Sequence, residues 1–334
     1  MQTLSKAIKG KENRFISILS FFTKLAVVAF ACIFIYNKLF VKQDFASLIV
    51  HYEKLLTVVP FMLILVVIIL MFINWGFEAL KWKFILRKFE DITLLKAFQS
   101  VLSGITVSIA APNRTGEFAG RVFHLEKIAK GQAAMLAIIT SYSQLSVTIL
   151  SGVLAASFLA IFYPGLLSAS HTGLIPVALS IAALFVFLYF KVNKIHFLLQ
   201  LKIFRKYISF FNILKKLGTV DFLKIFILSL TRYLIFSLQF YIMLIVSGAN
   251  IDFTAGMALI SIVYFVMTFI PTTIISELPV RGSVAVAVIG LISDNHLAIA
   301  NASFVLWIIN LMIPALLGTV FFFKVKLFKS AAIA

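Results

Sequence analysis

A chain of 334 residues that carries one cysteine and twelve acidic residues is short of the materials most enzymes and metal proteins use. The lone thiol, Cys32, excludes an intrachain disulfide. The five histidines, His51, His124, His171, His196 and His296, make no metal-ligand spacing. There is no glycine loop of the nucleotide-binding type and no nucleophile motif. Charged residues are 13% of the chain, against roughly a quarter in a soluble domain. That scarcity leaves no stretch suited to a soluble domain. The strict apolar–polar alternation of lipid-spanning strands is also missing. The reading is therefore of no catalysis, no cofactor and no metal.

What the chain has instead is apolar length, with 62% hydrophobic residues. About 20 helical residues cross a hydrocarbon core of ~30 Å, and runs of that order recur. They predict an all-α polytopic membrane protein, a single transmembrane domain over 1–334. Spans are expected at roughly 16–40, 58–80, 133–162, 174–190, 222–246 and 300–323. Three further runs, at 97–111, 255–275 and 283–292, do not fit a simple crossing; the first and last are short, and the middle one breaks at Glu277–Gly282. The basic N-terminus lacks a small-residue cleavage site, so its first apolar run reads as a retained helix.

Basic residues exceed acidic ones by 18. In this setting that excess argues for topology or for attraction to anionic headgroups, and not for nucleic acid. Lys and Arg cluster in 1–14, 81–96, 121–130, 191–224 and the 324–329 tail, and are missing from 163–173, 248–254 and 293–298. The positive-inside rule then puts the clusters, and both termini, on the cytoplasmic side of an inner membrane. Lys96 and Arg121 fall on one side with an apolar run between them. Thr254 and Ser293 do the same on the other. Six full spans and two re-entrant, broken helical hairpins of opposite orientation follow. The stretch 191–218 reads as a cytoplasmic amphipathic surface segment or a plain connector.

The expected hairpin tips share a kit. One reads Pro112-Asn113-Arg114-Thr115-Gly116-Glu117; the other reads Glu277-Leu278-Pro279-Val280-Arg281-Gly282. Inverted repeats with broken helices are a recurring transporter plan, against which stands a chance match of short windows. Pro112, Gly116, Pro271, Pro279 and Gly282 are the expected helix breaks. Arg114, Glu117, Glu277 and Arg281 are the candidate headgroup contacts, since a guanidinium matches phosphate oxygens as a fork. Arg114 either pairs with Glu117 or holds a phosphate, or the two form an interfacial cap. Arg232 either faces a polar cavity or snorkels to the edge. Arg121, His124 and Lys127 are expected to form a basic rim. Asn74, Glu78, Tyr142, Gln144 and Asn310 are read as helix–helix hydrogen bonds.

Pro112-x-Arg114-x-Gly116-Glu117, followed by Arg121, resembles a signature of the lysylphosphatidylglycerol synthase transmembrane region family. Pro271 leading to Val280-Arg281 resembles its second signature, with Pro279 where the family has Gly and Gly282 where it has Glu. The resemblance covers about residues 15–325. It implies a flippase-like translocator of an anionic or aminoacylated phospholipid, and the candidate headgroup contacts are then Arg114, Glu117, Arg121, Arg232, Glu277 and Arg281. Full-length relatives carry a soluble aminoacyl transferase domain, for which the sequence to Ala334 leaves no room, so synthase activity is not expected. A small-solute or ion transporter, or a non-transporting partner of an envelope lipid or glycan enzyme, are the other readings.

Overall fold

The structure is a computed structural model that describes residues 58–109, 116–166, 173–194, 211–272 and 274–323. The expected first span, the tip with Pro112 and Arg114, the centre of the amphipathic stretch and the basic tail lie outside the described residues. All regular structure within them is helical. Five helical stretches are long and apolar enough to cross a membrane.

Helix α1, Val58–Leu86, is the first. It is 29 residues, about 43 Å, and runs six residues past the expected end at Leu80. Leu94–Ile109 (α2) and Gly116–Val122 (α3) form the first hairpin. At 16 residues, α2 is about 24 Å long, too short for the hydrocarbon core. The chain turns back because α3 packs along it. A Cβ on Gly120 would come within 2.6 Å of the Ser103 carbonyl and of the Gly104 Cα. Only paired glycines allow that approach, the small-residue logic of helix packing in lipid. Ser100 Oγ donates to the Arg121 carbonyl at 2.7 Å and locks the register.

Helix α4, Lys130–Phe162, crosses to the opposite end, and α5, Ile175–Lys191, returns. After a 3₁₀ turn at Asn212–Lys216, α6 (Thr219–Val246) crosses again. It ends on Gly248, whose φ of 88° suits a residue without a Cβ and directs the Ala249 N–H to the Leu244 carbonyl.

The second hairpin is α7, Phe253–Met267, and α8, Ile274–Ile289. Asp252 caps α7, accepting from the N–H groups of Thr254 and Ala255 at 2.9 and 3.0 Å. The break lies between Met267 and Ile274, around Pro271. This corrects the expected break at Glu277–Gly282. The helix α8 runs through both Pro279 and Gly282. Pro279, in the second turn of α8, cannot donate to the carbonyl four residues before it, and that freed group is left to other partners, as in membrane helices that keep a proline.

The last span is not one α-helix. His296–Trp307 (α9) leads into a π-helical turn, Ile308–Met312, before Ile313–Phe323 (α10). The extra residue in such a turn re-aims the side chains around it.

Two units of span, hairpin and span thus follow one another, running in opposite directions. They are interlocked. The first hairpin's α2 packs on α10, the closing span of the second unit, and the second hairpin's α7 packs on α4, the closing span of the first. Each seam has a glycine on the span: Gly318 against Leu102 and Thr106, Gly152 against Phe265. The Thr106 hydroxyl donates to the Ala315 carbonyl at 2.7 Å. Outside, large apolar side chains such as Phe61, Ile69, Leu154 and Ile181 are exposed, as lipid-facing residues are.

One end of the bundle carries the lysines. There Lys88 bonds Asp221 at 2.5 Å and the Lys216 carbonyl at 3.1 Å. Glu90 accepts the N–H groups of Glu126, Lys127 and Ile128 at 2.8–3.2 Å and anchors the exit of the first hairpin. Burial by itself would raise the Glu90 carboxyl. Those three N–H groups, with Lys96 nearby, hold it below the usual carboxylate value.

Candidate functional site

Three polar residues of α1, Asn74, Glu78 and Lys81, recur at i, i+4 and i+7 and so share one face. In a helix otherwise built for lipid, that face must meet partners. Glu78 is the hub. One oxygen meets Lys81 at 2.7 Å and also Arg232 of α6; the other meets Arg121 of α3 at 2.8 Å. Arg121 also pairs with Glu117 one turn earlier. Lys81 reaches on to the Ser229 hydroxyl at 3.3 Å and the Thr140 carbonyl at 3.4 Å. Arg232 Nε donates to Asn74 Oδ1 at 3.0 Å, and its guanidinium lies 5.1 Å from the Trp75 ring.

On the other side, Arg281 of α8 pairs with Glu277 at 2.9 Å, again one turn apart. The two hairpins therefore carry the same Glu-x-x-x-Arg unit on their returning helices, Glu117–Arg121 and Glu277–Arg281. Arg281 matches Arg121, not Arg114 as the tip-to-tip comparison suggests.

Between the hairpins lies a cavity of about 380 Å³. Glu117 enters it from the first hairpin and Arg281 from the second. Asn74, Glu78 and Lys81 come from α1, Gln144 from α4, Arg232 from α6 and Asn310 from the π turn. A second cavity of about 580 Å³ shares Thr148, Phe236, Tyr264, Thr268 and Arg281 with it. It continues past Glu277 and Pro271 to the exposed Phe269 at the tip of the second hairpin. In and behind these walls, Lys81, Arg121, Arg232 and Arg281 face Glu78, Glu117 and Glu277. Among the described residues, positive charge exceeds negative by one.

Of the candidates, Glu117, Arg232, Glu277 and Arg281 all reach the cavities. Arg232 faces the polar interior and does not snorkel; its companion Gln239 donates to the Val67 carbonyl at 2.8 Å. Arg121 is not in a basic rim. It is 2% exposed and lies behind the cavity wall, between two carboxylates. His124 is not in that rim either, since it is half-buried against Ser103 Oγ at 2.8 Å. Gly116 opens α3 and Pro271 lies in the second break, whereas Pro112 and Arg114 are outside the described residues.

Sequence reading missed the hub. Lys81 counted as the first loop lysine, which ended the span at Leu80. It is 1% exposed inside α1. Glu78, Asn74, Gln144 and Asn310 were taken for helix–helix bonds, and each also lines the cavity. The i, i+4, i+7 spacing of Asn74, Glu78 and Lys81 was the available signal. Trp75 and Trp307 carried none.

Comparison with individually curated proteins gives no match. The family model for the lysylphosphatidylglycerol synthase TM region matches residues 21–318. That match takes in both hairpins and every cavity-lining residue. The chain therefore belongs to the lysylphosphatidylglycerol synthase TM region family.

Proposed function

We propose that this protein moves a phospholipid headgroup, anionic or aminoacylated, between the leaflets of an inner membrane without altering it chemically. Both termini then lie in the cytoplasm, on the side of the lysine-rich end. The carrying observation is the charged cavity between two oppositely directed hairpins. Charge at this depth is expensive, and is kept where it is paired or used. Pairing accounts for the Glu78 cluster. It leaves unexplained why Arg281 and Arg232 line open space. A phosphodiester on its way across needs such a stop, where guanidinium groups replace the water it loses. Acyl chains remain in lipid, and the second cavity, ending at the exposed Phe269, supplies the side route to them.

The test is leaflet exchange of a fluorescent phosphatidylglycerol in proteoliposomes, read by dithionite bleaching. Wild type accelerates exchange, and Arg281→Lys, which keeps the charge but loses the fork, slows it at least tenfold. Exchange no faster than in protein-free vesicles, for anionic and aminoacylated lipids alike, overturns the reading.

A further inference from the structure

The cavity's unspent hydrogen-bonding groups are nearly all of one kind. Trp75 Nε1, Gln144 Nε2, Trp307 Nε1 and Arg281 Nε are buried N–H groups with no protein partner among the described residues. One acceptor, Asn310 Oδ1, is in the same condition. Trp75 is 8% exposed and lines the cavity, so its N–H is withdrawn from bulk solvent beside whatever the cavity holds. Gln144 has already given its carbonyl oxygen to Arg232, at 3.4 Å, which leaves its amide N–H₂ as the free end.

The carboxylates are in the opposite condition. Glu78 faces three cations, Glu117 faces Arg121, and Glu277 faces Arg281. A ligand ammonium entering here would meet carboxylates already engaged, and Arg121 behind the wall adds one positive charge to a lining of three cations and three carboxylates. A phosphodiester would cancel that surplus and accept from the four donors. Ligand hydroxyls would answer Asn310 and share the indole N–H groups. Buried polar groups left unpaired are costly, so such a set selects its ligand.

From this imbalance we infer that the cavity's ligand is a phosphodiester headgroup bearing hydroxyls and no ammonium group, a polyol phosphate. The inference rests on the translocation reading and narrows its substrate to the plain anionic class. It excludes aminoacylated and ethanolamine headgroups as the preferred cargo.

Two of the chain's three tryptophans, Trp75 and Trp307, line the cavity, so intrinsic fluorescence reports occupancy in the intact protein. The probes are dihexanoyl phosphatidylglycerol, its lysyl ester, dihexanoyl phosphatidylethanolamine, glycerol 1-phosphate and inorganic phosphate. Phosphatidylglycerol is expected to bind at least tenfold tighter than the lysyl ester or the ethanolamine lipid. Gln144→Glu, which turns a donor into a carboxylate and removes the charge surplus, is expected to erase or reverse that ranking. Trp307→Phe removes one N–H and keeps the ring; by calorimetry it weakens phosphatidylglycerol threefold or more and leaves the lysyl ester unchanged.

Equal or tighter binding of the lysyl ester by wild type overturns the inference, and so does binding of none of the probes. Leaflet exchange of lysyl lipid alone overturns it and leaves the translocation reading standing. Glycerol 1-phosphate binding as tightly as the lipid supports the headgroup chemistry and overturns translocation. Tight inorganic phosphate binding with no gain from glycerol overturns the polyol assignment.

Discussion

The two hairpins carry the same Glu-x-x-x-Arg unit and use it differently. In the first, Arg121 is sealed behind the wall with a carboxylate on either side. Both of its terminal nitrogens meet a carboxylate, and its side chain is 2% exposed. In the second, Arg281 has one carboxylate and a side chain 20% exposed that lines the cavity. One arginine ties elements together; the other is available to a ligand. The lesson is that a charged motif within a membrane is classed by how many opposite charges hold it and whether it borders open space. The motif's own sequence does not reveal that.

The sharpest way to break this contrast is a matched pair of variants. Arg121→Ala strands Glu117 and unbalances Glu78 in a water-poor site. Removing one partner of such a pair costs about 3–5 kcal/mol. Arg281→Ala strips one buried carboxylate, Glu277, of its cation where two lose theirs with Arg121, and the cost falls to about 2–3 kcal/mol. Chemical unfolding in mild detergent measures both. Equal losses would erase the distinction between the two arginines.

A smaller effect separates the hairpin seams. Gly120→Val forces a side chain into the backbone of Ser103 and Gly104, and overpacking of this kind costs about 1–3 kcal/mol. The expected result is a lower melting temperature with cysteine crosslinks from α2 to α3 weakened. Crosslinks from α7 to α8 stay as they were. A uniform loosening of both hairpins would show that they are not independent seams.

The smallest effect is one of pH. The exit of the first hairpin is held by a carboxylate, Glu90, whereas the exit of the second is held by Asn295, which bonds the Gly248 carbonyl at 3.2 Å and caps α9. Glu90 sits below its unfolded value. Its stabilisation is therefore complete above that unfolded value and is lost as pH falls through the lower folded one. Protection of the amides of residues 126–128 against exchange, relative to their intrinsic rates, should fall on acidification below about pH 4.5, and Glu90→Gln should abolish the dependence. Residues around Asn295 should show none. The same acid response at both exits would remove Glu90 as its cause.

Much of this was legible in the chain. Apolar run length placed the described spans to within a few residues, because hydrocarbon thickness dictates it. Loop lysines exposed the first hairpin and their absence from both flanks exposed the second, because a run whose two ends lie on one side cannot be a crossing. The same device misled at Lys81. A lysine at the end of an apolar run looks like a loop residue unless its i−3 carboxylate is weighed with it. Pro279 misled in a similar way. In a membrane bundle a proline need not end a helix, because neighbouring groups can take up the backbone carbonyl it frees. The π turn at Ile308–Met312 left no trace, since it is a product of packing and not of propensity. The register of the repeat was misread for a related reason. Proline and glycine caught the eye, whereas the equivalence lies in the glutamate–arginine spacing.

The interlocked seams bear on how the molecule is made. A ribosome delivers α2 and α3 long before α10, yet α10 carries the Gly318 surface on which α2 finally rests. The first hairpin to enter the bilayer is thus the last to find its seat. Until then the Thr106 hydroxyl lacks the Ala315 carbonyl, and Leu102 lacks the Gly318 surface it packs on. The chain cannot be completed by halves. Its fold closes like a clasp, when the final span arrives.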